Sequence, residues 1–389
     1  MNSVVIIGAG PSGLYLAREL SKFVNVVIFE EDREVGVPPH CTGLVNLDSL
    51  RVLGVSPPII STYRYVRIVD LEGNGLTFDF GRRVIAMVDR PGLEQYLANE
   101  LGSSSLMLGE RVVHVDSSTV KTKSRQLSYE LTVIAEGAGG ELSRKLIPWT
   151  PNYVYGVQTD TRSYSTSNLM PRDDDEIVVV FDKKLSENYF AWIVPIDHNE
   201  FRIGIADTSN TWVKFTELLR LVGAEYRKLF GGKIIISGSP EHVVWRNVAV
   251  IGDAAGFVKP MTGGGIIMGM LSARILSESL YETIKAGLSI GDALSIYDMV
   301  YRKYIRGKLK ALGVASTILH MLLNKSLGES LRLMSGLSIK VDDYDNHIDA
   351  ILTAALRRPW AFIKAVAAII QELSETQYPI HKLLRSLIE

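Results

Sequence analysis

The sequence predicts an α/β fold: a discontinuous sheet-and-helix domain, an antiparallel sheet inserted into it, and a helical C-terminal region. Three observations predict it. The chain opens on an apolar run, Val4-Val5-Ile6-Ile7, that empties into Gly8-Ala9-Gly10-Pro11-Ser12-Gly13. The same strand-then-glycine pattern returns at Val133-Ile134-Ala135-Glu136-Gly137-Ala138-Gly139 and at Val248-Ala249-Val250-Ile251-Gly252-Asp253-Ala254-Ala255-Gly256. Between these two, residues 153–207 read as short strands at the spacing of an antiparallel sheet.

The opening motif is strand, glycine turn, helix, strand and acid. Gly8 permits the sharp turn out of a buried strand, Gly10 lets the backbone come close to a pyrophosphate, and Gly13 lets the helix pack close to the sheet. The pyrophosphate then sits at the helix N-terminus, at Ser12 and Gly13, where free N–H groups and the macrodipole favour negative charge. Val26-Val27-Ile28-Phe29 ends at Glu30, at about the ~20-residue spacing where an acid accepts hydrogen bonds from ribose hydroxyls. This is a Rossmann-like dinucleotide site, and the motif alone does not say which dinucleotide it takes.

With 389 residues the chain can bury a large core and form two or three domains. Hydrophobic residues at 47% and charged residues at 22% fit a globular protein, and a net charge of −1 offers no basic footprint for nucleic acid. The single cysteine, Cys41, excludes a disulfide framework within the chain and a cysteine zinc cluster. No histidine pair has metal-ligand spacing, so no metal is expected. The dinucleotide motif begins almost at Met1, which argues against a signal peptide and for a cytoplasmic enzyme. The longest apolar stretches, 311–323 (with His320) and 365–370, are too short for a transmembrane helix.

In chain order, Glu30 is followed by a proline- and glycine-rich loop, Gly36-Val37-Pro38-Pro39-His40-Cys41-Thr42-Gly43. Residues 63–69 and 76–80 alternate around Glu72-Gly73-Asn74-Gly75, a hairpin expected to join the inserted sheet. A helix over 93–101 starts near Pro91, and strands follow at 111–115, 119–123 and 129–135. The inserted sheet takes 153–159, 177–182, 189–195 and 201–206, with Asp173-Asp174-Asp175-Glu176 as a solvated loop. A helix over 212–230 is stopped by Gly231-Gly232, and Thr262-Gly263-Gly264-Gly265-Ile266 opens another over 266–280. From Asp292 the chain reads as helices. The expected domains are 1–150 with 240–305, the inserted sheet 151–239, and a helical region 306–389.

Taken together, the three glycine signals resemble the FAD-containing oxidoreductases of the p-hydroxybenzoate hydroxylase superfamily. Within it, Pro38-Pro39-His40-Cys41-Thr42-Gly43, Tyr189-Phe190-Ala191-Trp192-Ile193-Val194-Pro195 and the segment from Gly252-Asp253 to Gly264-Gly265-Ile266 resemble the geranylgeranyl reductase family, over most of residues 1–310. The resemblance implies a Rossmann-like FAD-binding domain. Its ADP half falls on Gly8, Gly10, Ser12, Gly13, Glu30, Glu136 and Gly137, and its flavin half on Gly252, Asp253, Gly264, Gly265 and Ile266. Asp253 can hold a ribityl or ribose hydroxyl, and helix N–H groups from Gly265 onward can face the flavin edge that becomes anionic on reduction. Arg90 resembles the family's dinucleotide-contacting arginine, and Val112 the position whose backbone contacts adenine.

In the family the Cys41-Thr42-Gly43 loop runs past the flavin, making Cys41 a candidate proton donor. Trp192, Tyr189 and Phe190 are the remaining candidate catalytic residues. The chain departs from the family pattern at Phe190, usually tyrosine, at Val194, usually phenylalanine, and at Glu136, where the wider superfamily has aspartate. The cysteine loop also lacks the usual acid. Tyr189 either supplies the missing hydroxyl or, by strand alternation, points away.

The implied activity is saturation of isolated double bonds in a polyprenyl chain, on an isoprenoid diphosphate or an archaeal-type glycerolipid. Reduced flavin delivers hydride to one alkene carbon and a proton reaches the other, in an apolar tunnel. The C-terminal helices would close that tunnel and meet a membrane surface, giving a peripheral location at the inner face of the membrane. No second dinucleotide motif is visible, so ferredoxin, NAD(P)H and a small reductant all stay open as electron donor. Besides an FAD protein acting on some other apolar molecule, two other readings use the same motifs. One is a flavin monooxygenase or halogenase, whose W-x-W-x-I-P pattern is approached at residues 190–195 without its first tryptophan. The other is a flavin electron-transfer protein, which the absence of iron–sulfur cysteines disfavours for relay within this chain.

Overall fold

The computed structural model describes residues 3–102, 104–165, 167–317, 326–341 and 344. A six-stranded sheet runs in the order Val244–Trp245, Val248–Val250, Leu131–Ile134, Val4–Ile7, Val26–Phe29, Ser105–Met107. Its strands are parallel except for the edge pair Val244–Trp245 with Val248–Val250. All four residues of Val4–Ile7 and of Leu131–Ile134 are buried, as expected for parallel strands covered on both faces. The helices Pro11–Leu20 and Ile266–Lys285 pack on one another beside this sheet. A side chain on Gly269 would overlap the Ser12 hydroxyl, so that approach needs glycine.

The second large sheet has eight strands: Leu229–Ser237, Asn152–Thr161, Glu200–Asp207, Ala191–Asp197, Glu176–Val180, Tyr65–Val69, Gly75–Asp79 and Leu337–Lys340. It is antiparallel except where Tyr65–Val69 joins Glu176–Val180 and Leu337–Lys340 joins Gly75–Asp79. Alternation divides it cleanly. Ala191 and Ile193 pack with Phe215 and Leu218 of the helix Thr211–Leu221, while Trp192 and Val194 pack with Tyr63, Tyr189 and Ile236. A small sheet, Leu44–Asn46, Ile85–Val88 and Ile59–Tyr63, lies between the two. It is tied to the eight-stranded sheet by the Ser61 hydroxyl, which donates to the Ile196 carbonyl at 2.6 Å, and by the Tyr63 hydroxyl, which donates to the Pro195 carbonyl.

Several elements differ from the sequence expectation. The helix expected over 212–230 ends at Leu221, because Gly223 adopts φ +61° and closes it; Gly231 and Gly232 instead lie inside the strand Leu229–Ser237. There they meet a neighbouring backbone: a side chain on Gly231 would overlap the Gly156 carbonyl. Glu176 is not solvated. It opens a strand and pairs with Arg67 at 3.1 Å, both side chains at most 5% exposed. The C-terminal region is not helical throughout, since Leu337–Lys340 alternates and extends the large sheet. Of 306–389, residues 318–325, 342–343 and 345–389, with the apolar stretch 365–370 and the end of 311–323, lie outside the described residues. Among the described residues no helix is long and apolar enough to cross a membrane.

Candidate active site

Four adjacent parallel strands, Val248–Val250, Leu131–Ile134, Val4–Ile7 and Val26–Phe29, end at the same sheet edge. Their C-terminal ends run into Gly252-Asp253, Glu136-Gly137, the turn 8–13 and Glu30, respectively. Outside the carboxyl ends of parallel strands is where open α/β sheets form ligand crevices. The glycines there divide into two kinds. Gly8 has φ +101° and would overlap the Ala135 carbonyl if it carried a side chain, and Gly13 would overlap the Gly8 carbonyl. Those two are required by the fold itself. Among the described residues a Cβ on Gly10 or Gly139 would meet nothing within 4 Å, so packing does not account for them; Gly137 is equally open, but its φ of +68° itself favours glycine.

The acids have distinct partners. Glu30 accepts the Ala9 N–H at 2.6 Å and the Asp32 N–H at 2.9 Å, tying the end of one strand to the turn after another. Glu136 accepts the Leu142 N–H at 2.9 Å and the Ser143 N–H at 2.6 Å, so it caps the short helix Ser143–Leu146. Asp253 lies against the start of the helix Ile266–Lys285, where a Cβ on Gly265 would be 2.5 Å from its Oδ1. Burial pushes its carboxyl up to about 6, against the opposing charge of Arg90. Gly252, at φ +63°, donates its N–H to the Ser272 hydroxyl at 3.0 Å and leaves room for Ser12, whose Oγ would be 2.6 Å from a Cβ there. Gly264 bridges to Lys259, and Ile266 packs partly buried against the core of the parallel-sheet domain. Val112 is buried; Glu110, two residues before it, donates its N–H to the Glu30 carbonyl at 2.8 Å.

The Cys41 loop is held from both sides. An arm of the Arg90 guanidinium donates to Cys41 Sγ at 2.8 Å and another pairs with Glu94, while Nε is buried without a hydrogen-bond partner among the described residues. Arg90 and Glu94 are not a surface pair, with side chains 12% and 7% exposed. Burial pushes the Glu94 carboxyl up, opposed by Arg90. From the eight-stranded sheet, Gln158 Oε1 accepts the Thr42 hydroxyl at 2.9 Å. Arg202, paired with Asp160 at 2.7 Å, donates to the Thr42 carbonyl at 2.8 Å. Gly43 turns the loop at φ +83°, where a Cβ would lie 2.6 Å from the Val88 carbonyl.

Beside the loop stands an aromatic wall. Trp192 lies across Gly204 on the next strand, where any side chain would overlap the indole. Phe190 stacks on Tyr189 at 4.1 Å and meets Trp192 edge-on at 6.2 Å. The strand begins only at Ala191, so strand alternation does not govern Tyr189 and Phe190. Tyr189 is 1% exposed, and a Cβ on Gly263 would be 3.1 Å from its hydroxyl, which places that hydroxyl at the glycine turn opening the helix Ile266–Lys285. Burial pushes its phenol well above the usual range.

No family model matches the chain. A digeranylgeranylglycerophospholipid reductase of Methanothermobacter thermautotrophicus is 24% identical over 368 residues, covering 86% of this chain and 91% of that protein. The chloroplastic geranylgeranyl diphosphate reductase of Nicotiana tabacum is 25% identical over 334 residues, covering 78% and 70%. A geranylgeranyl bacteriochlorophyll reductase-like protein from Thermoplasma acidophilum superposes with a TM-score of 0.79 at 17% identity, over 96% of this chain and 99% of that one. The chain is a relative of the geranylgeranyl reductases. A probable FAD-dependent monooxygenase from Pseudomonas aeruginosa shares the fold at a TM-score of 0.63 and 16% identity, over 85% of this chain and 98% of that one. The expected fold class and the expected oxidoreductase of the geranylgeranyl reductase kind are borne out.

For a geranylgeranyl reductase relative, the arrangement of the sequence-derived residues is informative. The structure collects Gly8, Gly10, Ser12, Gly13, Glu30, Glu136, Gly137, Gly252 and Asp253 at one sheet edge, and fastens Arg90 to Cys41. It gives the carboxylates of Glu30 and Glu136 backbone partners within the protein, and Glu30, with one such bond on each oxygen, keeps acceptor capacity on both. Sequence reasoning missed Gln158, Asp160 and Arg202. Their one signal is positional: Gln158 is a polar residue at an inward register position of an otherwise alternating strand, in line with Val154 and Gly156.

Proposed function

We propose that this chain is an FAD-dependent reductase that saturates isolated double bonds of geranylgeranyl or other polyprenyl chains, on an isoprenoid diphosphate or an archaeal-type glycerolipid. The observation that carries this reading is the Cys41 loop, fastened to Arg90 on one side and to the Trp192-bearing sheet on the other, at the edge where the glycine turns meet. The names of its relatives supply the substrate class.

The residues present fit the cofactor. Gly10, Gly137 and Gly139 leave backbone open to a dinucleotide, and the buried Nε of Arg90 lacks a partner among the described residues. Glu30 and the backbone near Val112 would hold the adenosine end. Asp253 would hold a ribityl hydroxyl, and the N–H groups of Gly264, Gly265 and Ile266 would face the ring system. When bound and reduced, FAD supplies the hydride. The chain's own residues do the rest. Trp192, Phe190 and Tyr189 present apolar surface that keeps water from the alkene. An isolated trisubstituted alkene is poorly electrophilic, so a proton source must be held close to it. Cys41 Sγ, oriented by Arg90, is that candidate source.

The electron donor in this reading is a ferredoxin, NAD(P)H or another reductant, and the lipid is met by peripheral contact at a membrane face. Anaerobic incubation of dithionite-reduced protein with geranylgeranyl diphosphate and with an unsaturated ether lipid, followed by mass analysis, tests it. A gain of two hydrogens per bond is expected in at least one; no gain in either overturns the reading. Oxygen uptake coupled to an oxygenated product would favour a monooxygenase instead. Cys41→Ala should lose far more activity than a packing change explains, and Cys41→Ser should recover part of it.

A further inference from the structure

The strands Asn152–Thr161, Glu200–Asp207 and Ala191–Asp197 are neighbours in that order, and their register sets Gln158, Gly204 and Trp192 in one row. Gly204, between the other two, has no side chain. The indole therefore lies across it and reaches the far strand, where its Nε1–H donates to Gln158 Oε1 at 3.2 Å. An indole N–H can only donate, so this bond settles which end of the Gln158 amide faces it. The same oxygen accepts the Thr42 hydroxyl at 2.9 Å. One amide oxygen on a side chain 2% exposed thus joins the wall to the loop, in surroundings where an unmet donor on either side is costly.

We infer that Gln158 is a positioning residue: it fixes the Cys41 loop against the Trp192 wall, so that the sheet sets where the thiol stands relative to the substrate chain. What the thiol is positioned for rests on the reductase reading above, but the joint itself does not. Arg202 also holds the loop, at the Thr42 carbonyl. If that bond sufficed, Gln158 would be dispensable, and this is what the experiment decides.

Cys41 is the only cysteine in the chain, so iodoacetamide labelling of the flavin-loaded protein reports the freedom of this loop alone. Gln158→Met keeps the length of the side chain and removes the acceptor; Gln158→Glu keeps an acceptor; Thr42→Val removes the donor. Gln158→Met and Thr42→Val should each raise the labelling rate about tenfold, the measure of about one buried hydrogen bond. The double variant should label no faster than Gln158→Met, because that variant has already lost the bond that Thr42→Val removes. Gln158→Glu should stay within about twofold of the unaltered protein. Unaltered labelling in Gln158→Met or Thr42→Val, or effects that multiply in the double variant, would overturn the inference. If Gln158→Met does not fold, Thr42→Val alone decides it. Single-turnover alkene reduction in Gln158→Met should fall about tenfold at unchanged flavin content, the kinetic equivalent of the same bond. Labelling as expected in a protein that reduces no alkene supports the joint and removes the reductase reading.

Discussion

The edge of the parallel sheet and the wall of the inserted sheet are built by opposite means. At the edge, backbone does the shaping: Gly8 and Gly13 are packed against carbonyls, and Gly10 and Gly137 face open space. At the wall, side chains do it: one glutamine oxygen, one arginine and one indole fasten a loop to three strands. A backbone-built site tolerates almost no substitution where the chain turns. A side-chain-built joint can be loosened one bond at a time without unfolding its neighbours.

The comparison can be broken at several points. The largest effect is expected at Gly8→Ala, which combines a left-handed backbone position with overlap on Ala135 and should cost about 3 kcal/mol or more in thermal unfolding. Gly10→Ala should leave the melting temperature nearly unchanged and lower flavin content instead. Equal stability losses at the two positions would erase the distinction between packing and cradle glycines.

Asp253 sharpens the edge side through pH. Its folded value of about 6 lies above the ordinary 3.8, so its contribution to stability is full below about pH 4 and lost as pH rises through about 6. Asp253→Asn should therefore gain on the unaltered protein between pH 4 and pH 8 by about 2–3 kcal/mol at most, in unfolding followed across that range. A gap that does not widen with pH contradicts the burial of this carboxyl. On the wall side, Gly204→Ala should displace the indole and cost about 2 kcal/mol, with Cys41 labelling raised as a secondary sign. The smallest effect is expected at Glu136→Ala, which removes the cap of a four-residue helix and should cost about 1 kcal/mol with little change in flavin content.

What could be read from the sequence follows the same division. A glycine turn between an apolar run and a helix is written in consecutive residues, so the edge was legible from Gly8, Gly137 and Gly252 alone. The strands of the inserted sheet were legible because alternation is also local. The helix over 212–230 was misread because its apolar spacing runs on past Gly223, whose left-handed turn ends it. Gln158 was invisible because its partners, Thr42 and Trp192, are distant in sequence and come together only through strand register and the 36–43 loop. Arg90 was expected at the dinucleotide, and its grip on Cys41 Sγ could not be foreseen from two residues lying on separate elements.

The central claim is that the edge and the wall together form a site that passes hydride from a flavin to an isolated alkene. The most direct measurement is an anaerobic single turnover in which the flavin spectrum and the mass of a geranylgeranyl lipid are followed in the same sample. The account predicts that reduced flavin is reoxidised only when the lipid is added, with two hydrogens gained per flavin reoxidised. Flavin that stays reduced in the presence of lipid and is reoxidised only by oxygen would contradict it.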